Sequence, residues 1–295
     1  MGHGHDHSPS SYGAAFAVGI TLNLAFVVVE VVYGRLSHSL ALIADAGHNF
    51  TDVFGLGLAW GATLLSRKRA TADRTYGFRR SSILAALINA VVLLIGVGAI
   101  GWEAITRLSD PQPVAETTVM WVAGVGILIN GGTALLFMPG GNKDLNIRGA
   151  FVHLASDALI AAGVVLAAFA MLKTGLLWID PAASLIIVAL VTYGTWGLLR
   201  DSINLALDKV PQGIDIEEVK RYLASLPTCT DVHDLHVWGT STTEAALTAH
   251  IVLEECDDSL LANVAKELHD RFGIEHTTLQ VESGDPAYPC TCQFS

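Results

Sequence analysis

Residues 44–52 read ADAGHNFTD, inside the run SLALIADAGHNFTDVFGLGLAWGATLL that spans 39–65. Around that polar centre the run is apolar and long enough to cross a bilayer, which takes roughly 20 helical residues. Asp45, His48 and Asp52 therefore sit where desolvation costs most. A charged side chain at that depth costs about 2.5–3.5 kcal/mol on insertion scales. On a helix, His48 and Asp52 are four residues apart and stack on one face.

Working outward, the same apolar character recurs in segments at about 13–33, 82–105, 117–138, 147–172 and 178–200, which with 39–65 predicts six membrane-spanning helices. The segments lack the alternation of a membrane barrel. MGHGHDHSPSSYG, ahead of the first, has no basic n-region, so the first segment is read as a span and not as a signal peptide. The 295-residue chain is 52% hydrophobic and 15% charged, as such an architecture requires. Arg67, Lys68, Arg69, Arg74, Arg79 and Arg80 follow the second span, Lys143 and Arg148 the fourth, and Arg200 and Lys209 the sixth. The alternate loops hold Arg35, Arg107 and Lys173, so the basic bias puts both termini in the cytoplasm.

We divide the chain into a short His-containing tail (1–12), a six-helix membrane domain (13–207) and a cytoplasmic domain (208–295). The last holds 16 acidic against 5 basic side chains, which accounts for the whole net charge of −11. Such a surface repels nucleic acid and attracts cations, although ordinary solvation explains most of it. GIDIEEVKRYLASLP reads as an amphipathic helix started at Asp215 and stopped by Pro227; SLLANVAKELHDRFG is a second, with Gly273 as its C-cap. DVHDLHVWG, EAALTAHIVLE and HTTLQVES read as strands. The order αββαβ predicts a small ferredoxin-like α+β domain with its helices on one face of the sheet. Cys229, Cys256, Cys290 and Cys292 all fall in this cytoplasmic part, where thiols or metal ligands are expected instead of disulfides.

The fifth span contains GAFVHLASDALIAAG, in which His153 and Asp157 repeat the four-residue spacing. The second and fifth spans run in opposite directions, which sets His48 level with Asp157 and Asp52 level with His153. A lone buried His or Asp is commonly satisfied by a hydrogen bond to a neighbouring helix. Two matched pairs with no buried Lys or Arg as counter-ion are better satisfied by a divalent cation. Two carboxylates cancel its charge, and two imidazoles complete a tetrahedral N/O set suited to Zn²⁺. Asp45, one turn before His48, is placed either for a structural hydrogen bond or to steady a ligand histidine from behind. Asn23, Glu30, Asn89 and Asn130 read as interhelical hydrogen-bond residues.

SLALIADAGHNFTD and HLASDAL resemble the second- and fifth-helix motifs of the cation diffusion facilitator family. TYGFRRSSILAALIN resembles the start of its third helix, and VHDLHVW is typical of its cytoplasmic domain. The resemblance covers nearly the whole chain. It implies a homodimeric exporter that exchanges Zn²⁺ for protons by alternating access, with His48, Asp52, His153 and Asp157 as transport ligands. Relatives with His at the first position tend to favour Zn²⁺ over Cd²⁺. The resemblance also implies a regulatory metal site in the cytoplasmic domain, at His233, His250 and Glu282, with His276 as a fourth candidate. Strand parity supports the choice by sending His233 and His236 to opposite faces, the latter towards Trp238.

The chain departs from the family pattern in three places. The loop SRKRATADRTYGFRR offers Asp73 but no His for the metal site some relatives carry there. PGGNKDLNIRG is short and lacks the histidines of eukaryotic relatives, and Ser82 stands where many relatives are acidic. Cys290 and Cys292 form a C-x-C that either clamps a soft metal or simply ends a frayed terminus. His3, His5 and His7 form a short tract with the same two readings.

Two other classes compete. An intramembrane metallohydrolase needs an open coordination position and a general base, and four protein ligands close the site. A membrane-anchored metal sensor would signal through the tail, but it gives no reason to bury two ligand pairs in the bilayer. Short loops favour a bacterial inner membrane.

Overall fold

In the computed structural model the chain is described over residues 13–137, 145–254 and 258–282. Six long helices come first: α1 Gly13–Leu36, α2 Leu40–Ser66, α3 Ser81–Ser109, α4 Glu116–Phe137, α5 Leu145–Thr174 and α6 Ile179–Ala206. Four stretches, Ser81–Ser109, Glu116–Leu135, Phe151–Thr174 and Ile179–Ala206, are long and apolar enough to cross a membrane on length and composition alone. The α2 helix is not among them and carries Asp45, His48, Asn49 and Asp52 in its first half. Trp121, Leu128 and Leu159 on the helices are about three-quarters exposed, a surface suited to lipid and not to water. The inward stripe packs Phe26, Leu42, Val119, Val164 and Met171 into one core.

Small residues let these helices approach closely. A Cβ on Gly126 of α4 would lie 2.8 Å from Phe26 of α1, and one on Gly34 would lie 2.8 Å from Ile43 of α2.

The start of α2 is fixed from a distance. Asp180, in the first turn of α6 and 1% exposed, accepts hydrogen bonds from Ser39 Oγ (2.5 Å), Leu40 N (2.7 Å) and Ala41 N (3.4 Å). Ser39 Oγ in turn accepts from Leu42 N at 3.2 Å. A carboxylate thus satisfies the orphan donors of α2 and complements the positive end of its dipole. Asp180→Ala leaves buried donors unpaired and should cost about 1–3 kcal/mol. Asp180→Asn keeps an acceptor and should cost less; thermal unfolding in detergent gives both values.

The remainder is α7 Ile216–Ala224, β1 Cys229–Gly239, β2 Ala245–Leu253, α8 Asp258–Phe272 and β3 Ile274–Glu282, the expected αββαβ order. Asp215 caps α7 by accepting from Glu217 N and Glu218 N, and Gly273 takes the left-handed φ of 67° after α8. The sheet order is β1-β2-β3, with β1 and β2 antiparallel and β2 and β3 parallel. Parallel neighbours need a crossover, which α8 supplies. Val219 and Leu223 of α7, with Val264 and Leu268 of α8, pack onto Val232, Val237, Leu247 and Ile251 of the sheet.

By compactness the chain divides into Met1–Gly57 with Asn89–Gly197, and Leu58–Ile88 with Leu198–Ser295. Within the second unit the basic loop between α2 and α3 engages the α+β domain. Arg80 pairs with Asp208, Arg79 with Glu244 at 2.7 Å, and Thr242 N donates to Ser82 Oγ at 3.1 Å. Ser82, the residue that departs from the family's acidic preference, is therefore a hydrogen-bond acceptor.

Candidate metal centres

Within the first unit, α2 and α5 present their His/Asp pairs to each other. His48 Nε2 lies 3.2 Å from Asp157 Oδ1 and 3.8 Å from Asp52 Oδ2. His153 Nε2 lies 3.4 Å from Asp52 Oδ2 and 3.7 Å from Asp157 Oδ2. Asp52 presents the same oxygen, Oδ2, to both histidines, whereas Asp157 turns Oδ1 to His48 and Oδ2 to His153. With bonds of about 2.0–2.1 Å to a central Zn²⁺, neighbouring ligand atoms fall roughly 3.3–3.4 Å apart. Ligand atoms of His48, Asp52 and Asp157 all lie within 4.8 Å of one another. His153, with its side chain 48% exposed, forms the open edge. Asp52 Oδ2 and His48 Nδ1 are buried without a hydrogen-bond partner. The Asp52 oxygen is the one turned towards both histidines, and the His48 nitrogen is the one that faces away from Asp157.

Asp45 is buried beside this cluster, and neither of its carboxylate oxygens has a donor. Its neighbour is Glu30 of α1, 0% exposed, whose Oε2 accepts from Asn49 Nδ2 at 3.0 Å. Glu30 thus makes the interhelical hydrogen bond expected from the sequence, yet its Oε1 is left without a partner.

In the α+β domain a second group forms from His233, His250 and Glu282, whose ligand atoms also lie within 4.8 Å of one another. His250 Nδ1 is 2.9 Å from Glu282 Oε1, and His233 Nε2 is 3.6 Å from Glu282 Oε2. The register explains the meeting: His233 pairs with His250 across β1 and β2, and Val252 pairs with Glu282 across β2 and β3.

The expectation for His236 is corrected. A register shift interrupts β1 between His233 and His236, where Asp234 adopts a φ of 51°. Val232 and Val237 both face the core although five residues apart, so the bulge reverses the parity. His233 and His236 therefore share the outer face. Asp234, unremarked in the sequence, bridges His236 to the cluster through His236 Nε2 at 2.9 Å and His250 Nε2 at 3.7 Å. Asp231 faces the other nitrogen of His233, with Oδ2 3.2 Å from Nδ1. The sequence offers a single signal for that bulge, an Asp at the position that turns left-handed, a conformation Asp tolerates better than most residues. His276 is not part of this group; its ring packs edge-on against Tyr76, with centroids 5.6 Å apart. His3, His5, His7, Cys256, Cys290 and Cys292 lie outside the described residues.

Long apolar helices followed by an α+β domain are the architecture of an integral, multi-pass membrane protein with a separate C-terminal domain. The chain belongs to the cation efflux, or cation diffusion facilitator, family: the family's transmembrane domain matches residues 16–205 and its cytoplasmic domain residues 211–284. Zinc transporter ZitB of Escherichia coli is 38% identical over 293 residues, covering 96% of this chain and 93% of that protein. Metal cation efflux system protein CzcD of Cupriavidus metallidurans is 36% identical over 285 residues (95% and 90%). The cadmium, cobalt and zinc/H(+)-K(+) antiporter of Bacillus subtilis is 33% identical over 287 residues (95% and 92%). The solved metal-bound C-terminal domain of the CzcD transporter is 32% identical, covers 23% of this chain and 99% of that one, and gives a TM-score of 0.22.

Proposed function

We propose that this protein exports Zn²⁺ from the cytosol in exchange for protons, with His48, Asp52, His153 and Asp157 as the ligands of the transported ion. The observation that carries the reading is that Nε2 of His48 and Nε2 of His153 each lie within 3.8 Å of a carboxylate oxygen of both Asp52 and Asp157. The relatives' names extend the cargo to Co²⁺ and Cd²⁺. Two borderline imidazoles beside two hard carboxylates suit Zn²⁺ best among these.

Metal enters from the cytosol between α2 and α5 and displaces any proton on the imidazoles. The bundle then rocks to face outward, and protons compete for the same ligands. Both termini face the cytoplasm and the host membrane is a bacterial inner membrane. The protein works as a homodimer, in keeping with the match of its tail to the family's cytoplasmic domain. Purified protein in liposomes should accumulate Zn²⁺ when an inward-to-outward pH gradient is imposed. Flux indifferent to the gradient removes the antiport; absent flux leaves only the membrane-anchored sensor.

His233, His250 and Glu282 form a regulatory site that binds cytosolic metal and biases the dimer. Such a bias requires tighter binding in one conformational state than in another. His250→Ala and Glu282→Ala should shift the Zn²⁺ concentration at half-maximal rate while leaving occupancy of the membrane site intact. Superimposable rate curves for variant and wild type would remove the regulatory role.

A further inference from the structure

Glu30 of α1 and Asp45 of α2 are 0% and 1% exposed, and the metal chemistry proposed above uses neither of them. Among the described residues, Asn49 Nδ2 is the one donor in hydrogen-bonding contact, and it reaches Glu30 Oε2. Glu30 Oε1, Asp45 Oδ1 and Asp45 Oδ2 remain without a donor, although the two side chains lie within hydrogen-bonding reach of each other. Two carboxylates only accept, so that contact becomes a hydrogen bond when one of them carries a proton. Among the described residues no Lys or Arg contributes to either environment; the other charges felt by the pair are those of His48 on α2 and Asp157 on α5. Along α4, which packs on α1, the acidic residue is Glu116 in the first turn. Burying two bare carboxylates here would be prohibitive, whereas one shared proton leaves a single negative charge and satisfies a donor-starved oxygen.

We propose that Glu30 and Asp45 form a proton-holding pair that supplies one of the protons exchanged for metal, a role that rests on the antiport reading given above. The pair shares one proton while the metal site is empty. When a divalent cation occupies the site one helical turn away on α2, its positive charge favours the doubly ionised pair. The O–H bond then breaks, and the proton leaves to water while its electron pair stays on the carboxylate. When the cation departs, a proton from the opposite side restores the O–H bond. Neither carboxylate touches the metal; the coupling is electrostatic.

The infrared difference spectrum on adding Zn²⁺ to purified wild-type protein tests this without any transport. It should show loss of the carbonyl stretch of a protonated carboxylic acid, and Glu30→Gln should lack that change while still binding Zn²⁺ in a titration. In proteoliposomes each coupled proton multiplies the Zn²⁺ accumulation ratio about tenfold per pH unit across the membrane. Glu30→Gln should therefore accumulate about tenfold less per pH unit than wild type, and Glu30→Asp should recover part of the loss. A wild-type spectrum without a Zn²⁺-sensitive acid band overturns the pair by itself, whether or not the variants fold. The same band surviving in Glu30→Gln, or unchanged accumulation, also overturns it. Wild-type protein that shows the band but no pH-driven accumulation overturns the antiport reading instead.

Discussion

Asp157→Ala should weaken Zn²⁺ binding at the membrane site by more than about a hundredfold, the upper range for losing a group that merely supports a ligand. Asp157 is the most enclosed member of the cluster, its side chain 3% exposed, and it reaches both histidines. Its removal leaves one carboxylate to offset a 2+ charge in a medium that solvates charge poorly. Asp157→Asn keeps the shape and one acceptor oxygen but loses the charge, so it should fall between alanine and wild type. Titration calorimetry on the purified protein separates the cases. An effect within tenfold would move Asp157 out of the ligand set.

Acidification should produce the second large effect. Metal takes neutral imidazole, and free imidazole titrates near pH 6.5 in water. Affinity is therefore full where the imidazole ligands are neutral and is lost over the range in which falling pH protonates them. With two imidazoles competing for protons, the loss approaches about a hundredfold per pH unit below that range. His153→Ala should bind more weakly throughout but with a shallower pH dependence, since one competing proton is gone. Equal slopes for variant and wild type would show that His153 does not exchange a proton with the metal.

The helical scaffold was legible because its signal is long and one-sided: each span is an apolar run, and the ends found in the structure fall within a few residues of those read from hydropathy, α6 excepted, which runs on to Ala206. The two H-x-x-x-D pairs were legible for a similar reason, since a four-residue spacing on antiparallel helices fixes which side chains can meet. The sheet was harder. Its periodicity assumes an uninterrupted strand, and the single bulge at Asp234 was enough to place His236 on the wrong face and to hide Asp234. Asp180 was illegible because the cap it provides joins residues 140 apart in sequence. Glu30 stood in plain view as a carboxylate in an apolar run, but only the meeting of α1 and α2 beside Asn49 reveals that a second acid, Asp45, shares its surroundings.

Two imidazoles and two carboxylates, brought around one divalent ion by two antiparallel helices, are the transport site we propose. Its most direct test counts Zn²⁺ bound by a protein whose cytoplasmic cluster is first disabled with His233→Ala and His250→Ala, before and after adding Asp52→Ala and Asp157→Ala. We expect about one Zn²⁺ per chain before, held by nitrogen and oxygen at about 2.0–2.1 Å in X-ray absorption, and none after. An unchanged stoichiometry with the two aspartates gone would place the ion elsewhere and contradict the account.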